Sequence, residues 1–201
     1  MKRALLGFRK CFLVIGAVLL YAPYSNGEST RILVERFAEN PILDGCFSET
    51  LGKKLNGPSL IRVPKWVKDP LGKYYLYFAH HKGKFIRLAY ADNLHGPWRI
   101  YEPGTIHLEE AKVLEDHIAS PDVHIDEKNQ IIRMYLHGSH PETNQRTISA
   151  VSKDGLAFGV FDTIHGYSYF RVFQYAGVYY AVDALGFLNR SDHPDHGWER
   201  H

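Results

Sequence analysis

The sequence predicts an all-β protein made of consecutive four-stranded antiparallel sheets, the arrangement of a β-propeller. Short runs alternate apolar or aromatic residues with polar ones, which is the pattern of half-buried strands. Gly, Pro, Asn and Asp separate these runs and supply turns. Aromatic residues make up 13% of the chain and are mostly Tyr and Phe, which favours sheet. After residue 27, helical periodicity is confined to one short turn within residues 107–116.

The runs fall into three sets that resemble one another in order and spacing. We predict strands over residues 58–64, 73–81, 85–92 and 98–103; then 121–126, 130–138, 146–152 and 158–163; then 167–175, 177–184 and 186–192. Pro58 and Pro121 open two of the sets, and the separation of Asp92 from Trp98 recurs in the third set. Repeated four-stranded meanders are typical of propeller blades. A β-sandwich is the alternative, because short alternating strands also occur there.

The number of predicted blades is small for a closed ring. The chain holds about three four-stranded blades, whereas closed propellers use about 4 to 8. Three blades alone would leave a long sheet edge unpaired. We therefore expect a truncated piece of a longer protein, with completion of the ring by a partner as the alternative.

Residues 1–27 have the features of a secretory signal peptide. A basic start is followed by the uncharged apolar residues 11–22 and by the small residues Ser25 and Gly27 around a possible cleavage site. The apolar run is shorter than the roughly 20 residues that a membrane span needs. We expect a secreted or periplasmic protein with one domain over residues 28–201 and no stable membrane span; an uncleaved anchor is the alternative.

Charge and cysteine content exclude several kinds of partner. The formal net charge is +2 and no long run of Lys or Arg occurs, so a nucleic-acid-binding surface is not expected. Cys46 is the only cysteine after residue 27, which rules out an internal disulfide and a cysteine-based zinc site in that part of the chain. No cofactor or metal is predicted.

Meander topology predicts where polar residues meet. The start of the first strand and the end of the second strand of a blade lie at the same face, because the two strands are antiparallel. The residues expected at this face are Asn56, Gly57, Ser59, His80 and His81; Asp122, His137, Ser139 and His140; and Tyr167, Ser168, Tyr169 and Asp183. Asp122 is the most informative, because a carboxylate on a crowded face needs a compensating partner. A turn-capping role is its alternative.

Three segments resemble a known enzyme group. The segment "NGPSLIRVPKWVKDPLGKYYLYFAHH" (residues 56–81) resembles the first blade of the five-bladed propeller glycosidases of glycoside hydrolase families 43, 32, 62 and 68, and family 43 most closely. The segment "YADNLHGPWRIY" resembles their outer-strand motif, and "SPDVHIDEKNQIIRMYLHG" resembles their second-blade opening. The resemblance covers residues 41–199. It implies a five-bladed fold and action on glycosidic bonds of poly- or oligosaccharides.

The resemblance also implies three carboxylates: an Asp as general base, an Asp that orients groups and tunes the pKa of the acid, and a Glu as general acid. Asp122 matches the second. Gly57 stands at the base position, and "HGYSYFRVF" (residues 165–173) contains no Glu. Arg171 in that segment suits a sugar bearing a carboxylate. Four acids could serve as displaced catalytic groups: Glu109, Glu110, Glu115 and Asp116.

Three functions follow as hypotheses. The first is an exported glycoside hydrolase with Asp122 as the orienting catalytic residue and its base and acid unassigned. The second is a carbohydrate-binding propeller that does not hydrolyse its ligand. Both would bind sugar through a set of residues comprising Asn56, Ser59, His80, His81, His137, His140, Tyr169 and Arg171. The third, ranked below the other two because the sequence has no dense metal-ligand motif, is a metal-assisted site that combines Asp122 with His80, His81, His124 or His140.

Overall fold

The computed structural model describes residues 32–38, 40–43, 51 and 54–201. The chain divides into residues 1–35 and residues 36–201. In the first part, the described residues 32–35 form neither helix nor strand. The predicted signal segment and Cys46 lie outside the described residues. In the part of the chain that is described, no helix is long and apolar enough to cross a bilayer.

Residues 55–200 form three sheets, each a four-stranded antiparallel meander that we call a blade. The first blade contains β1 (Leu55–Arg62), β2 (Tyr74–His80), β3 (Phe85–Ala91) and β4 (Arg99–His107). The second blade contains β5 (Glu115–Asp126), β6 (Ile131–His140), β7 (Asn144–Ser152) and β8 (Gly159–Tyr167). The third blade contains β9 (Arg171–Tyr175), β10 (Val178–Val182), β11 (Leu188–Ser191) and β12 (Glu199–Arg200). The predicted all-β fold with about three blades is confirmed, and a sandwich of two stacked sheets is excluded.

The predicted strands are present, but four of them extend further than the sequence indicated and do so through a register shift. β4 and β8 continue by several residues, β1 begins at Leu55 rather than at residue 58, and β5 begins at Glu115 rather than at residue 121. At each shift one strand bulges and then resumes pairing. Tyr167 therefore ends β8 instead of opening the third blade. The short helical turn is present as one 3₁₀ turn, Leu108–Glu110.

The first two blades share one apolar core. Side chains from both sheets fill it, among them Tyr75, Tyr77 and Met134, all of them 0% exposed. The Tyr77 hydroxyl crosses the interface and donates a hydrogen bond to the Gly155 carbonyl at 2.8 Å. Buried hydroxyls need a partner, so this bond fixes how far apart the two sheets stand.

A tyrosine hydroxyl also joins the second blade to the backbone of the third blade. The Tyr135 hydroxyl donates to the Pro194 carbonyl at 2.9 Å, and the ring packs against Phe170 and Ala181. A charged contact adds to it: Arg133 donates from Nε and Nη2 to both carboxylate oxygens of Asp195, at 2.7 and 2.9 Å. Two-fold bonding of this kind fixes direction as well as distance.

The outer strands also repeat. Trp98 donates from its indole nitrogen to the Leu94 carbonyl at 3.2 Å, and Trp198 donates to the Pro194 carbonyl at the same distance. Trp98 follows Gly96 and Pro97, and Trp198 directly follows Gly197. Both glycines have positive φ. The spacing from Asp92 to Trp98 and from Asp192 to Trp198 therefore reflects the same local structure in two blades.

A histidine, His165, is buried in the contact between the second and third blades. His165 is 6% exposed, its Nε2 lies 2.9 Å from the Ser149 hydroxyl, and its buried Nδ1 has no hydrogen-bond partner among the described residues. The rings of Tyr135, Phe170 and Trp198 surround it. Burial lowers the pKa of His165 to about 4; Asp195 opposes this shift, while His196 and Arg133 add to it.

We expect His165 to make the fold sensitive to acid. The unfolded chain takes up a proton at the ordinary pKa of 6.5, so stability is full above that pH and falls as pH decreases towards 4. The slope for this group reaches about 1.4 kcal/mol per pH unit. Urea unfolding between pH 7.5 and 4.5 measures it. His165→Gln should reduce the slope, and the exposed control His201→Gln should not. An unchanged slope in His165→Gln would contradict this assignment.

Candidate functional site

The innermost strands of the first two blades carry matching bulges. The register of β1 shifts between Asn56 and Ser59, and that of β5 shifts between Ala119 and Asp122. Gly57 lies in the first bulge with φ +57°, and Ser120 lies in the second with φ +49°. The two bulges touch, and a Cβ added to Gly57 would lie 2.5 Å from the Ser120 Cα. Ser59 and Asp122 are thus equivalent residues, each placed directly after its bulge.

Ser59 and Asp122 make the same kind of contact to the next blade. The Ser59 hydroxyl oxygen accepts a hydrogen bond from the backbone N–H of Val123 at 2.9 Å. Asp122 Oδ2 accepts one from the backbone N–H of Val172 at 2.8 Å. Both bonds join neighbouring inner strands, so each residue has a structural role whether or not it binds a ligand.

Asp122 is the centre of a group that we call the Asp122 cluster: Asp122, His124, Arg171 and the Val172 N–H. His124 Nε2 lies 2.9 Å from Oδ2, consistent with the tautomer that donates from Nε2. Arg171 Nη1 donates to the Pro121 carbonyl at 3.0 Å and lies 3.6 Å from Oδ1. The Asp122 side chain is 17% exposed. Since neighbouring donors already occupy Oδ2, the carboxylate is suited to orient groups rather than to move a proton.

His137 and Tyr169 form the second part of the site, beside Arg171. Their ring centroids are 4.4 Å apart, and the Tyr169 N–H donates to His137 Nδ1 at 3.4 Å. Burial, with repulsion from His117 and Arg171, lowers the pKa of His137 to about 4. The imidazole is therefore neutral at neutral pH. Tyr169 has φ +58° and its side chain is 49% exposed, so its ring is available to a ligand.

Other predicted residues lie apart from the Asp122 cluster. Asn56 lines a cavity of about 320 Å³ with Pro41, Leu76 and Phe78, on the apolar side of the first blade. Its buried Oδ1 has no hydrogen-bond partner among the described residues. Its role in binding stays a prediction.

The remaining predicted histidines lie at hairpin turns. His80 and His81 stand where β2 turns into β3, and the described residues offer neither imidazole a hydrogen bond. This turn contacts the start of β5 through the Ile118 N–H, which donates to the Gly83 carbonyl at 3.0 Å. His140 Nδ1 accepts from the Glu142 N–H at 3.2 Å within the next turn. Their part in substrate binding likewise stays a prediction.

No carboxylate other than Asp122 contacts the cluster within the described part of the chain. Gly57 cannot be replaced by a residue with a side chain without displacing Ser120. Among the displaced candidates, Glu110 accepts from the His107 N–H at 2.7 Å and Asp116 lies 3.4 Å from His117. Glu109 and Glu115 are exposed. A base and an acid are therefore missing from the surroundings of Asp122 that the structure describes.

A nucleophilic or metal site finds little support. Asp116 and Ser139 both approach the Nδ1 atom of His117, at 3.4 Å each, so the ring does not link the acid to the hydroxyl as a catalytic triad requires. Among the described residues, no group of three or more His, Cys, Asp or Glu side chains is arranged to hold a metal ion.

Sequence reasoning missed the buried histidines His117 and His165 and the role of the Val172 N–H. The segments "GPSLIRV" (residues 57–63) and "GYSYFRV" (residues 166–172) share Gly, Ser, Arg and Val at the same spacing, but these positions are not equivalent in the fold. Gly57 lies in β1 and Gly166 in β8; Arg62 ends β1, whereas Arg171 begins β9. The backbone contact to Asp122 had no signal, because it depends on how two blades meet.

The three blades form a partial β-propeller, in which inner strands converge on a carboxylate and a guanidinium group. An α-L-arabinofuranosidase of family 43 from Clostridium thermocellum matches with a TM-score of 0.54 and 18% identity, over 75% of this chain and 51% of that structure. An endo-1,4-β-xylanase from Bacteroides thetaiotaomicron matches with a TM-score of 0.51 and 14% identity, over 73% and 53%. The resemblance to family 43 propellers is confirmed for the fold.

One curated relative is similar in sequence. The uncharacterized protein R118 of Acanthamoeba polyphaga mimivirus is 34% identical in an alignment 203 residues long, and the alignment covers 88% of this chain and 57% of the relative. No family model matches the chain. The chain thus spans little more than half the length of the proteins that it resembles.

The contact between Gly57 and Ser120 can be tested by substitution. Gly177 is the matched control, because it also has positive φ (+81°) but open space around it. We expect Gly177→Ala to cost about 1 kcal/mol of unfolding free energy through backbone strain alone. Gly57→Ala should cost about 2 kcal/mol more, because its Cβ also meets the Ser120 backbone. Equal losses in urea unfolding would contradict the close approach of the two bulges.

Proposed function

We propose that the protein recognises carbohydrate at the site formed by the Asp122 cluster with His137 and Tyr169. The main support is the packing of the exposed Tyr169 ring on the buried, neutral imidazole of His137, next to the half-exposed Arg171 guanidinium. Ligand sites combine apolar and aromatic surface with a few fixed polar groups. A sugar ring presents a flat C–H face and directed hydroxyls, which suits an aromatic ring and rigid hydrogen-bonding groups.

Rigidity supports this proposal. Asp122 is held by the Val172 N–H and His124, and Arg171 is held by the Pro121 carbonyl. Groups held by their neighbours lose little freedom when a ligand binds, which favours affinity. The proposed ligand is a poly- or oligosaccharide; the names of the similar structures suggest arabinose- and xylose-containing polymers for a first test.

Hydrolysis of a glycosidic bond is the second candidate. The sequence resemblance implies the orienting carboxylate role for Asp122, and the fold is similar to that of family 43 glycosidases, which favours hydrolysis by analogy. Hydrolysis needs a second carboxyl group across the scissile bond, and the described residues supply none there. Binding without cleavage is therefore the function that these residues support best. Export through residues 1–27 belongs to the proposal and depends on sequence alone.

Replacement of Asp122 and Tyr169 tests the proposal. We expect the parent to bind arabinoxylan or xylan oligosaccharides in calorimetric titration. Asp122→Asn should weaken binding about tenfold or more, because hydrogen bonds to a charged group contribute about 1.5–3 kcal/mol. Tyr169→Ala should weaken it similarly by removing the ring without altering the Asp122 cluster. Asp162→Asn, an exposed carboxylate of the second blade, is the control.

Each result decides between the candidates. Release of aryl arabinofuranoside or xyloside product by the parent, lost in Asp122→Asn but kept in Asp162→Asn, would establish hydrolysis in place of binding alone. Full affinity in Tyr169→Ala would show that sugars bind elsewhere. Absence of binding to any glycan by the parent would overturn the proposed function. Circular dichroism of each variant shows whether a loss comes from unfolding.

A further inference from the structure

The guanidinium of Arg171 has unused hydrogen-bonding capacity. It begins β9, its side chain is 42% exposed, and only Nη1 has a partner among the described residues, the Pro121 carbonyl at 3.0 Å. A guanidinium has five N–H donors in a flat fork. The edge formed by Nε and Nη2 is therefore open to a ligand.

Asp122 does not satisfy this cation. Its Oδ2 accepts from the Val172 N–H and lies next to His124, and its Oδ1 is 3.6 Å from Arg171 Nη1, beyond ordinary hydrogen-bond length. The two charges attract each other, but the carboxylate is turned to other donors. His137 beside Arg171 is neutral and contributes no negative charge. The Arg171 guanidinium therefore has N–H donors with which to bind a further anion.

Another arginine of this protein shows that the edge formed by Nε and Nη2 binds a carboxylate. Arg133 uses Nε and Nη2 to hold both oxygens of Asp195, at 2.7 and 2.9 Å. In Arg171 the corresponding two atoms have no partner within the described residues. A carboxylate matches this edge in width and charge, whereas a single sugar hydroxyl uses only one donor.

We propose that Arg171 binds the carboxylate of a uronic acid residue in the glycan, with the ring of that sugar lying against Tyr169. This inference rests on the proposed function and narrows its ligand to acidic polysaccharides. Tyr169 precedes Arg171 by two residues, packs one side of its ring on His137 and is 49% exposed. One short segment thus supplies both a flat apolar surface and a fork for the acid group.

A uronate-bearing oligosaccharide and its carboxyl-reduced form test this, because they differ only in the acid group. We use glucuronate-substituted xylan oligosaccharides and oligogalacturonate, each in both forms, with neutral xylan oligosaccharides alongside. The parent should bind the acid forms about tenfold or more tightly than the reduced forms, and added salt should lessen the difference. Arg171→Gln should remove the preference. Arg171→Lys should remove most of it, because an ammonium group has no fork.

Arg62→Gln is the control, since Arg62 is an exposed arginine of the first blade that pairs with Tyr74 at the far end of β1; it should keep the preference. Equal binding of acid and reduced forms by the parent, or a preference that survives in a folded Arg171→Gln, overturns the inference but leaves sugar recognition intact. If the parent binds polyphosphate as tightly as it binds the acid oligosaccharides, Arg171 attracts polyanions in general, and the inference is overturned. Failure of every glycan to bind would overturn the proposed function as well.

Discussion

Each sheet of this protein buries a face against the next sheet, and a tyrosine hydroxyl that reaches the neighbour's backbone sets the distance between them. Tyr77 does this between the first two blades and Tyr135 between the second and third. A ring without its hydroxyl would leave a carbonyl unpaired in an apolar contact, which is costly. Because this spacing is fixed, the inner strands come close enough for Ser59 and Asp122 to accept hydrogen bonds from the next blade.

Asp122 therefore has a structural role that does not depend on catalysis or ligand binding. Ser59, its equivalent in the first blade, accepts the same kind of backbone hydrogen bond without a charge. The carboxylate adds what a serine cannot: a second oxygen near Arg171 and a partner for His124. What distinguishes the site from an ordinary junction of blades is thus the set of charged and aromatic groups around Asp122, rather than the bond to Val172 itself.

The sequence predicted the strands well because each blade alternates buried and exposed residues, and β-branched and aromatic residues fill the buried positions. It did not predict the bulges of β1 and β5. These depend on left-handed backbone at Ser120, a residue type that rarely adopts it, and on contact with Gly57 in another blade. Asp122 and Arg171 were both identified by residue type, but their mutual geometry depends on how two sheets meet. Long-range contacts of this kind leave no local pattern.

The positions where the resemblance implies a base and an acid are used here for packing. Gly57 lies against the Ser120 backbone, so an aspartate there would need β5 to move. Residues 165–173, where the resemblance implies Glu-Gly, contain no Glu. In this segment His165 is buried beside Ser149, and a Cβ on Gly166 would lie 2.6 Å from the Phe170 ring. An aspartate at position 57 therefore requires changes in two blades at once. Recognition needs no such change, because its donors, acceptors and aromatic ring are already held in place.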